Sequence, residues 1–226
     1  MYGYVKVGSA VPKLRVADCV YNKEEILKLV EAAAAKQVRV LSFPELSVTG
    51  YTCADLFFQT PLLHAAEQAI QEIAEATEAL NIFLLIGAPI AVDNQMFNCA
   101  VALYKGKLLG IVPKTHIPNY SEFYEERWFA SADDLLTEEI TYAGQNVPIG
   151  ADLIFAAADF PALKIGVEIC EDLWVPIPPS SYLSLYGATL LLNLSASNEL
   201  ASKPGYRRQL VSQQSARCLS AYVYTS

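Results

Sequence analysis

The residues that could do chemistry gather at three points in the chain. Cys170, in "VEICEDLW", is a nucleophile once deprotonated, yet Glu168 stands two residues before it and Glu171 and Asp172 directly after it. Negative neighbours disfavour a second negative charge, so on local electrostatics alone this thiol holds its proton more tightly than a free one. Two readings stay open: an inert packing residue, or a nucleophile whose site is corrected by a positive charge from elsewhere. Glu45, in "SFPELS", and Lys114, in "IVPKTH", carry the complementary chemistry. Lys114 would offset the carboxylates around Cys170 and bring its thiolate within reach at neutral pH. Glu45 could take the thiol proton and later pass it to a leaving amine. Singly, each has an ordinary role: Cys170 packs, Glu45 caps a helix, Lys114 is a surface lysine.

The elements that would position them alternate between strand and helix. "LRVADCV" reads as a strand, and Asn22 then starts a helix as its N-cap, with Glu25 completing a capping box and Ile26, Leu27, Val30, Ala33 and Ala34 as the apolar stripe. "VRVLSF" is the next strand and stops at Pro44 and Glu45. Thr60 and Pro61 supply an N-cap and a first-turn proline for a helix to about Leu80. "IFLLIGAPI" is a buried strand; "MFNCAVALY" and "LLGIVP" flank Lys105, Gly106 and Lys107 as a hairpin ending at Pro113 and Lys114. Residues 115–150 are irregular and rich in aromatics, a long loop of the kind kept for binding. "LKIGVEI" delivers Cys170, a short helix follows near Ser181 to Tyr186, "ATLLLNLSA" is a strand, and 203–221 is helical. Glu45, Lys114 and Cys170 thus each lie just past the C-terminal end of a strand, where open α/β sheets gather their sites.

Composition narrows the partners. With 226 residues and 53% hydrophobic side chains the chain reads as one domain with a substantial core. A net charge of -8 argues against nucleic acid or an anionic membrane, which require clustered Lys and Arg; the one basic knot, Arg207 and Arg208, reads as a solvated helix face. The N-terminus has no continuous apolar stretch of signal-peptide length, the longest apolar run, at 82–92, is too short to span a bilayer, and the expected location is the cytoplasm. Five cysteines share no metal-ligand or redox spacing, and with two histidines no metal site is expected.

Together, "FPELSVTGY", "VPKTHIPNYSEFYEERWFA" and "VEICEDLWVPIPPS" resemble the three catalytic blocks of the nitrilase, or carbon-nitrogen hydrolase, superfamily, in the order Glu, Lys, Cys. With "PIPPS", "NLSASN" and "ARCLSAYVY", the resemblance extends over nearly the whole chain and is to one branch, the glutaminase domains of glutamine-dependent NAD+ synthetases. It implies an α/β fold, an αββα sandwich, and strong oligomerisation through an apolar face. It also implies that Cys170 attacks the carboxamide of glutamine to give a glutamyl thioester and ammonia. Glu45 would be the general base and then acid, and Lys114 would hold the oxyanion together with the backbone N–H of Glu171. Tyr51, Tyr120, Phe123 and Ser197 match the family's glutamine pocket, with Glu125 as a second carboxylate beside the catalytic group.

The resemblance implies no cofactor for glutamine hydrolysis. ATP, Mg and deamido-NAD+ would belong to a synthetase domain, whose Ser-Gly-Gly loop this chain lacks, as it lacks Walker A and G-x-G-x-x-G patterns. The expectation is a C-terminally truncated domain, residues 1–226, partnered by the synthetase domain of a parent chain. The other functional readings are a stand-alone amidase acting on another small amide and a non-catalytic assembly domain.

Overall fold

The computed structural model describes residues 3–226. The chain runs β1 (Val7–Ser9), α1 (Cys19–Ala35), β2 (Val40–Ser42), α2 (Thr60–Ala76), β3 (Phe83–Val92), β4 (Gln95–Tyr104), β5 (Lys107–Pro113), β6 (Glu139–Tyr142), β7 (Gln145–Pro148), β8 (Ile154–Ala156), β9 (Lys164–Ile169), α3 (Pro179–Leu185), β10 (Leu190–Leu194), α4 (Lys203–Cys218) and β11 (Ala221–Thr225).

These strands form a five-stranded sheet in the order β1-β2-β3-β4-β5, a four-stranded sheet in the order β11-β10-β9-β8, and the separate β6-β7 hairpin. β1, β2 and β3 are parallel, while β4 is antiparallel to both β3 and β5. The end of β5 therefore falls on the same edge as the end of β2. In the second sheet β9, β10 and β11 are parallel.

The two sheets pack face to face. Val40, Phe83, Leu85, Ala100 and Ala102 of the first share a core with Ile165, Val167, Leu190 and Leu192 of the second. On the outer face of the first sheet, Ile26 and Val30 of α1 and Ala66, Ile70 and Ile73 of α2 cover Leu41, Leu84 and Val101. On the outer face of the second, Leu183 of α3 packs with Ala188 and Leu191, against Cys218 and Tyr222. The layers are thus α, β, β, α, the expected sandwich. The alternation of Leu84 outward and Phe83 and Leu85 inward follows from the period-two geometry of a strand covered on both sides.

Three hairpin turns have two residues, both in the left-handed region: Asp93-Asn94, Lys105-Gly106 and Ala143-Gly144. That turn matches the right-handed twist of its strands, which fixes register between the long β3 and β4.

Several local expectations are corrected. "LRVADCV" is not a strand: α1 begins at Cys19, and its N-cap is Asp18, whose carboxylate accepts from Tyr21 N–H. Asn22 instead turns inward, bonding Arg15 N–H, Arg15 C=O and Val48 C=O, so its hydrogen bonds hold the entry to α1 against the Glu45 loop rather than capping the helix. Thr60 lies inside α2, after Gln59 as cap, and the helix stops at Ala76 instead of Leu80. The loop over 115–150 contains the β6-β7 hairpin, and α4 ends at Cys218 so that the following residues can form β11. Arg207 is not solvated: its side chain is largely buried and paired with Glu199.

Candidate active site

Strand alternation alone would place Cys170 on the same face as Glu168, toward α3. The backbone prevents this: Cys170 adopts φ 47°, a left-handed conformation costly for a residue with a Cβ, and its side chain packs with Val167 and Ile169 between the sheets. Residues Cys170–Leu173 then form one 3-10 turn. Asp172 secures it, accepting from Ile169 N–H at 2.9 Å, His116 N–H at 2.7 Å and Thr115 N–H at 3.2 Å. A single carboxylate thereby ties the turn after β9 to the residues that follow Lys114. Burial pushes this carboxyl up to about 7, although the Ile169 and His116 N–H groups pull it down.

The three carboxylates near Cys170 in sequence therefore do not crowd it. Glu168 faces the helix layer, taking hydrogen bonds from Tyr222 O–H and Ser180 N–H. Asp172 is engaged by the backbone, and Glu171 accepts from Tyr120 O–H at 2.9 Å. The charges that act most strongly on Cys170 come from distant chain segments: Glu45, Lys114 and Glu125.

Lys114 is fully buried and is no surface lysine. Its ammonium donates to Glu45 Oε1 at 2.7 Å and to Glu125 Oε1 and Oε2 at 3.0 and 2.8 Å. Burial works against that charge, but Glu45, Cys170 and Glu125 outweigh it, and its pKa lies well above the ordinary lysine value. Glu45 is fixed on both oxygens: Oε1 also accepts from Asn98 Nδ2 at 2.6 Å, and Oε2 accepts from Ala196 N–H at 2.9 Å. Glu45 does not cap a helix.

The expected thiolate is corrected in one respect. Lys114 does favour it, but burial of the thiol, with Glu45 and Glu125, raises the Cys170 pKa above the usual cysteine value. The thiol stays protonated at neutral pH. Glu45 and Glu125 are the two carboxylates of this buried cluster that act on the sulfur.

Glu125 also accepts from Tyr51 O–H at 2.6 Å, and its carboxyl pKa is raised, chiefly by burial and then by Glu45. Tyr120, Phe123 and Ser197 lie in a different place, lining a cleft of about 420 Å³ that reaches Cys170 and includes Glu171, Trp174 and Lys203. Tyr51 and Glu125 are thus behind the polar cluster, while Tyr120, Phe123 and Ser197 are in front of it. All eight residues singled out in the sequence are in or beside one site.

Four further residues support this site. A Cβ on Gly87 would lie 2.3 Å from Leu46 N and 2.8 Å from Glu45 C, so β3 must carry a glycine where the Glu45 loop crosses it. Asn98, on β4, interrupts an otherwise apolar buried strand to reach Glu45, and that single polar residue was its signal in the sequence. Asn193 interrupts β10 in the same way and accepts from Cys170 N–H at 3.2 Å. Asp172 gave no such signal, because its role depends on backbone groups 56 and 57 residues away.

Comparison with known proteins bears on the family and the fold. The glutamine-dependent NAD(+) synthetase of Mycobacterium tuberculosis is 38% identical over 225 residues, covering 100% of this chain and 33% of that protein. That of Mycobacterium leprae is 40% identical over 224 residues, 99% of this chain and 33% of the relative. The chain therefore spans about a third of the length of these relatives. The crystal structure of a glutamine-dependent NAD(+) synthetase from Cytophaga hutchinsonii superposes with a TM-score of 0.85 at 31% identity, over 97% of this chain and 35% of that one. An amidase from Nesterenkonia sp. shares the fold, with a TM-score of 0.74 at 17% identity over 98% of this chain and 75% of its own. The carbon-nitrogen hydrolase family pattern matches residues 7–225, nearly the whole of a sandwich whose two sheets meet at the Glu45, Lys114 and Cys170 cluster, and the chain belongs to that family.

Proposed function

We propose that this chain is a glutaminase, hydrolysing the side-chain amide of glutamine to glutamate and ammonia. The observation that carries the reading is the buried Lys114 ammonium at 2.7 Å from Glu45, both acting on a thiol that opens into the cleft. Cys170 Sγ attacks the amide carbon while Glu45 takes the thiol proton. Lys114 and the Glu171 N–H hold the resulting oxyanion, so the negative charge appears where donors already stand. Collapse breaks the C–N bond, and Glu45 returns the proton to the departing ammonia. Water then attacks the thioester, again losing a proton to Glu45, and the C–S bond breaks to restore the thiol. Because the resting thiol is protonated, no free thiolate need accumulate beside two carboxylates.

Glutamine would lie in the cleft between Tyr120, Phe123 and Ser197, with Tyr51 and Glu125 keeping Lys114 oriented from behind. No metal or nucleotide takes part in these steps. The names of the relatives support a destination for the ammonia, a synthetase domain of the parent chain; our reading adds that this domain would use ATP, Mg and deamido-NAD+. We include a cytoplasmic location, consistent with five unpaired thiols and with the absence, among the described residues, of a helix long and apolar enough to cross a membrane. Homo-oligomerisation is part of the same reading, supported by exposed Ile177, Tyr182, Leu185 and Tyr186 around α3.

Ammonia release from glutamine, set against a panel of other small amides, tests this function. Glutamine should be the preferred substrate, and Cys170→Ala and Glu45→Ala should each abolish turnover without unfolding the chain. A faster reaction with another amide would make the protein a general amidase; near-normal ammonia release by Cys170→Ala would remove the mechanism.

A further inference from the structure

The end of β10 touches both the nucleophile and the base, and the mechanism above leaves it unused. Asn193 and Ser195 are fully buried. Asn193 Oδ1 accepts twice, from Cys170 N–H at 3.2 Å and from Ser195 O–H at 2.8 Å. The next residues grip Glu45: its N–H donates to Ser195 C=O at 3.3 Å, and its Oε2 accepts from Ala196 N–H at 2.9 Å. Ser195 is anchored in turn, its N–H donating to Thr225 C=O of β11 at 2.8 Å. The Cys170 N–H fixes the orientation of the Asn193 amide, because a flipped side chain would set Nδ2 against that N–H donor. Four consecutive residues therefore set the distance between Cys170 and Glu45.

Ser195 has a choice of acceptors. Its hydroxyl bonds Asn193 Oδ1 in the structure, the same atom that takes the Cys170 N–H, so it stands next to the nucleophile and can turn toward the Cys170 side chain. Beside it stands Tyr224 of β11, whose buried hydroxyl has no settled partner and lies against Ser195 and Ser197. The other charged or titratable groups facing the sulfur are Glu45, Lys114, Glu125 and Tyr120. Of these Lys114 is the one cation, and its hydrogen bonds run to Glu45 and Glu125, not to the sulfur.

We propose that Ser195, held by Asn193, is a positioning residue for the nucleophile: its hydroxyl turns from Asn193 Oδ1 to the sulfur as the Cys170 proton passes to Glu45. Asn193 meanwhile keeps the Cys170 N–H, and so preserves the left-handed turn that aims the sulfur between the sheets. No proton leaves Ser195; one neutral hydrogen bond is exchanged for one to a developing anion, which is the stronger of the two. Tyr224 can follow by donating to the serine oxygen.

This inference rests on the glutaminase reading for its kinetic consequence, but its first test needs no amide. Iodoacetamide alkylation of the full chain, followed at Cys170 by peptide mapping to separate it from the other four thiols, should be about tenfold slower in Ser195→Ala at neutral pH and above, the loss of one hydrogen bond to a charged group. Ser195→Thr, which keeps the hydroxyl, should return the rate to near the unsubstituted value. With glutamine, Ser195→Ala should lower kcat by a similar factor and leave KM unchanged, since Ser195 is fully buried and is not among the residues lining the cleft. Asn193→Ala should slow alkylation at least as much, because the Cys170 N–H loses its acceptor and the turn that aims the sulfur loosens. An unchanged alkylation rate and pH profile in Ser195→Ala, or a threonine variant no better than alanine, overturns the proposal. If the unsubstituted chain releases no ammonia from glutamine, the functional reading fails while the alkylation series still decides the role of Ser195.

Discussion

Two buried carboxylates, Glu168 and Glu45, lie near the end of β9 and are handled in opposite ways. Glu168, on the helix side, has only neutral partners, Tyr222 O–H and Ser180 N–H, and burial raises its carboxyl pKa. Glu45, beside the intersheet core, shares a buried ammonium with Glu125. A carboxyl that serves packing needs no cation, because it can lower its cost by holding its proton. A group that must accept and release a proton needs neighbours that tolerate both of its states, and Lys114 is the part of the molecule that allows this.

Removing the cation should be the most damaging way to break this contrast. Lys114→Met leaves two carboxylates buried without their counter-charge, and the expected loss is about 3–5 kcal/mol, as for other buried pairs cut on one side. Urea unfolding would show it. The same variant should slow Cys170 alkylation, whereas Lys107→Met at the exposed start of β5 should alter neither quantity. Equal stability of the two variants would mean that the carboxylates are neutral and the cluster is not ionic.

Next in size is the backbone that carries Glu45. Gly87→Ala forces a methyl against Leu46 N and Glu45 C, which should cost about 1–3 kcal/mol as overpacking and should reduce turnover further, because the displaced groups include the base. Gly205→Ala in α4, where an added Cβ meets nothing within 4 Å, should instead stabilise by about 1 kcal/mol. Thermal melts of the pair separate close approach from mere loss of a glycine.

A smaller, pH-dependent effect distinguishes Glu168. Its folded pKa is raised above the unfolded one, so its favourable contribution is complete at low pH and is lost as pH rises from the ordinary carboxylate range through the folded value. Glu168→Gln should match the unsubstituted chain in acid and melt higher than it at neutral pH. Parallel melting curves at all pH values would show that Glu168 ionises freely. The least effect belongs to the exposed Asp55–Arg127 pair, bidentate at 2.7 Å yet open to solvent. Asp55→Asn should leave the melting temperature unmoved and insensitive to salt.

The Glu45, Lys114 and Cys170 positions were legible together, because each follows an apolar strand and the three blocks around them share one family resemblance; singly, each had an ordinary reading. What misled was local. "LRVADCV" alternates like a strand, but Asp18 offers a cap to α1 and the chain took it; Asn22 matched a capping rule yet is claimed by Val48 C=O. β8 and β11 are edge strands too short or too near a helix to announce themselves, and β11 pairs only because β10 supplies its partner.

The sequence by itself determined the periodicity of the long strands, the hairpin at Lys105 and Gly106 and the residue types of the site, because these depend on side-chain chemistry and on neighbours a few residues away. Only the tertiary structure decided which carboxylates face Cys170. The nearest in sequence, Glu168, Glu171 and Asp172, are drawn off by Tyr222, Tyr120 and backbone N–H groups, while the left-handed turn at Cys170 carries the thiol to the other side of the sheet. Electrostatic energy follows distance and burial, and neither is set by separation along the chain.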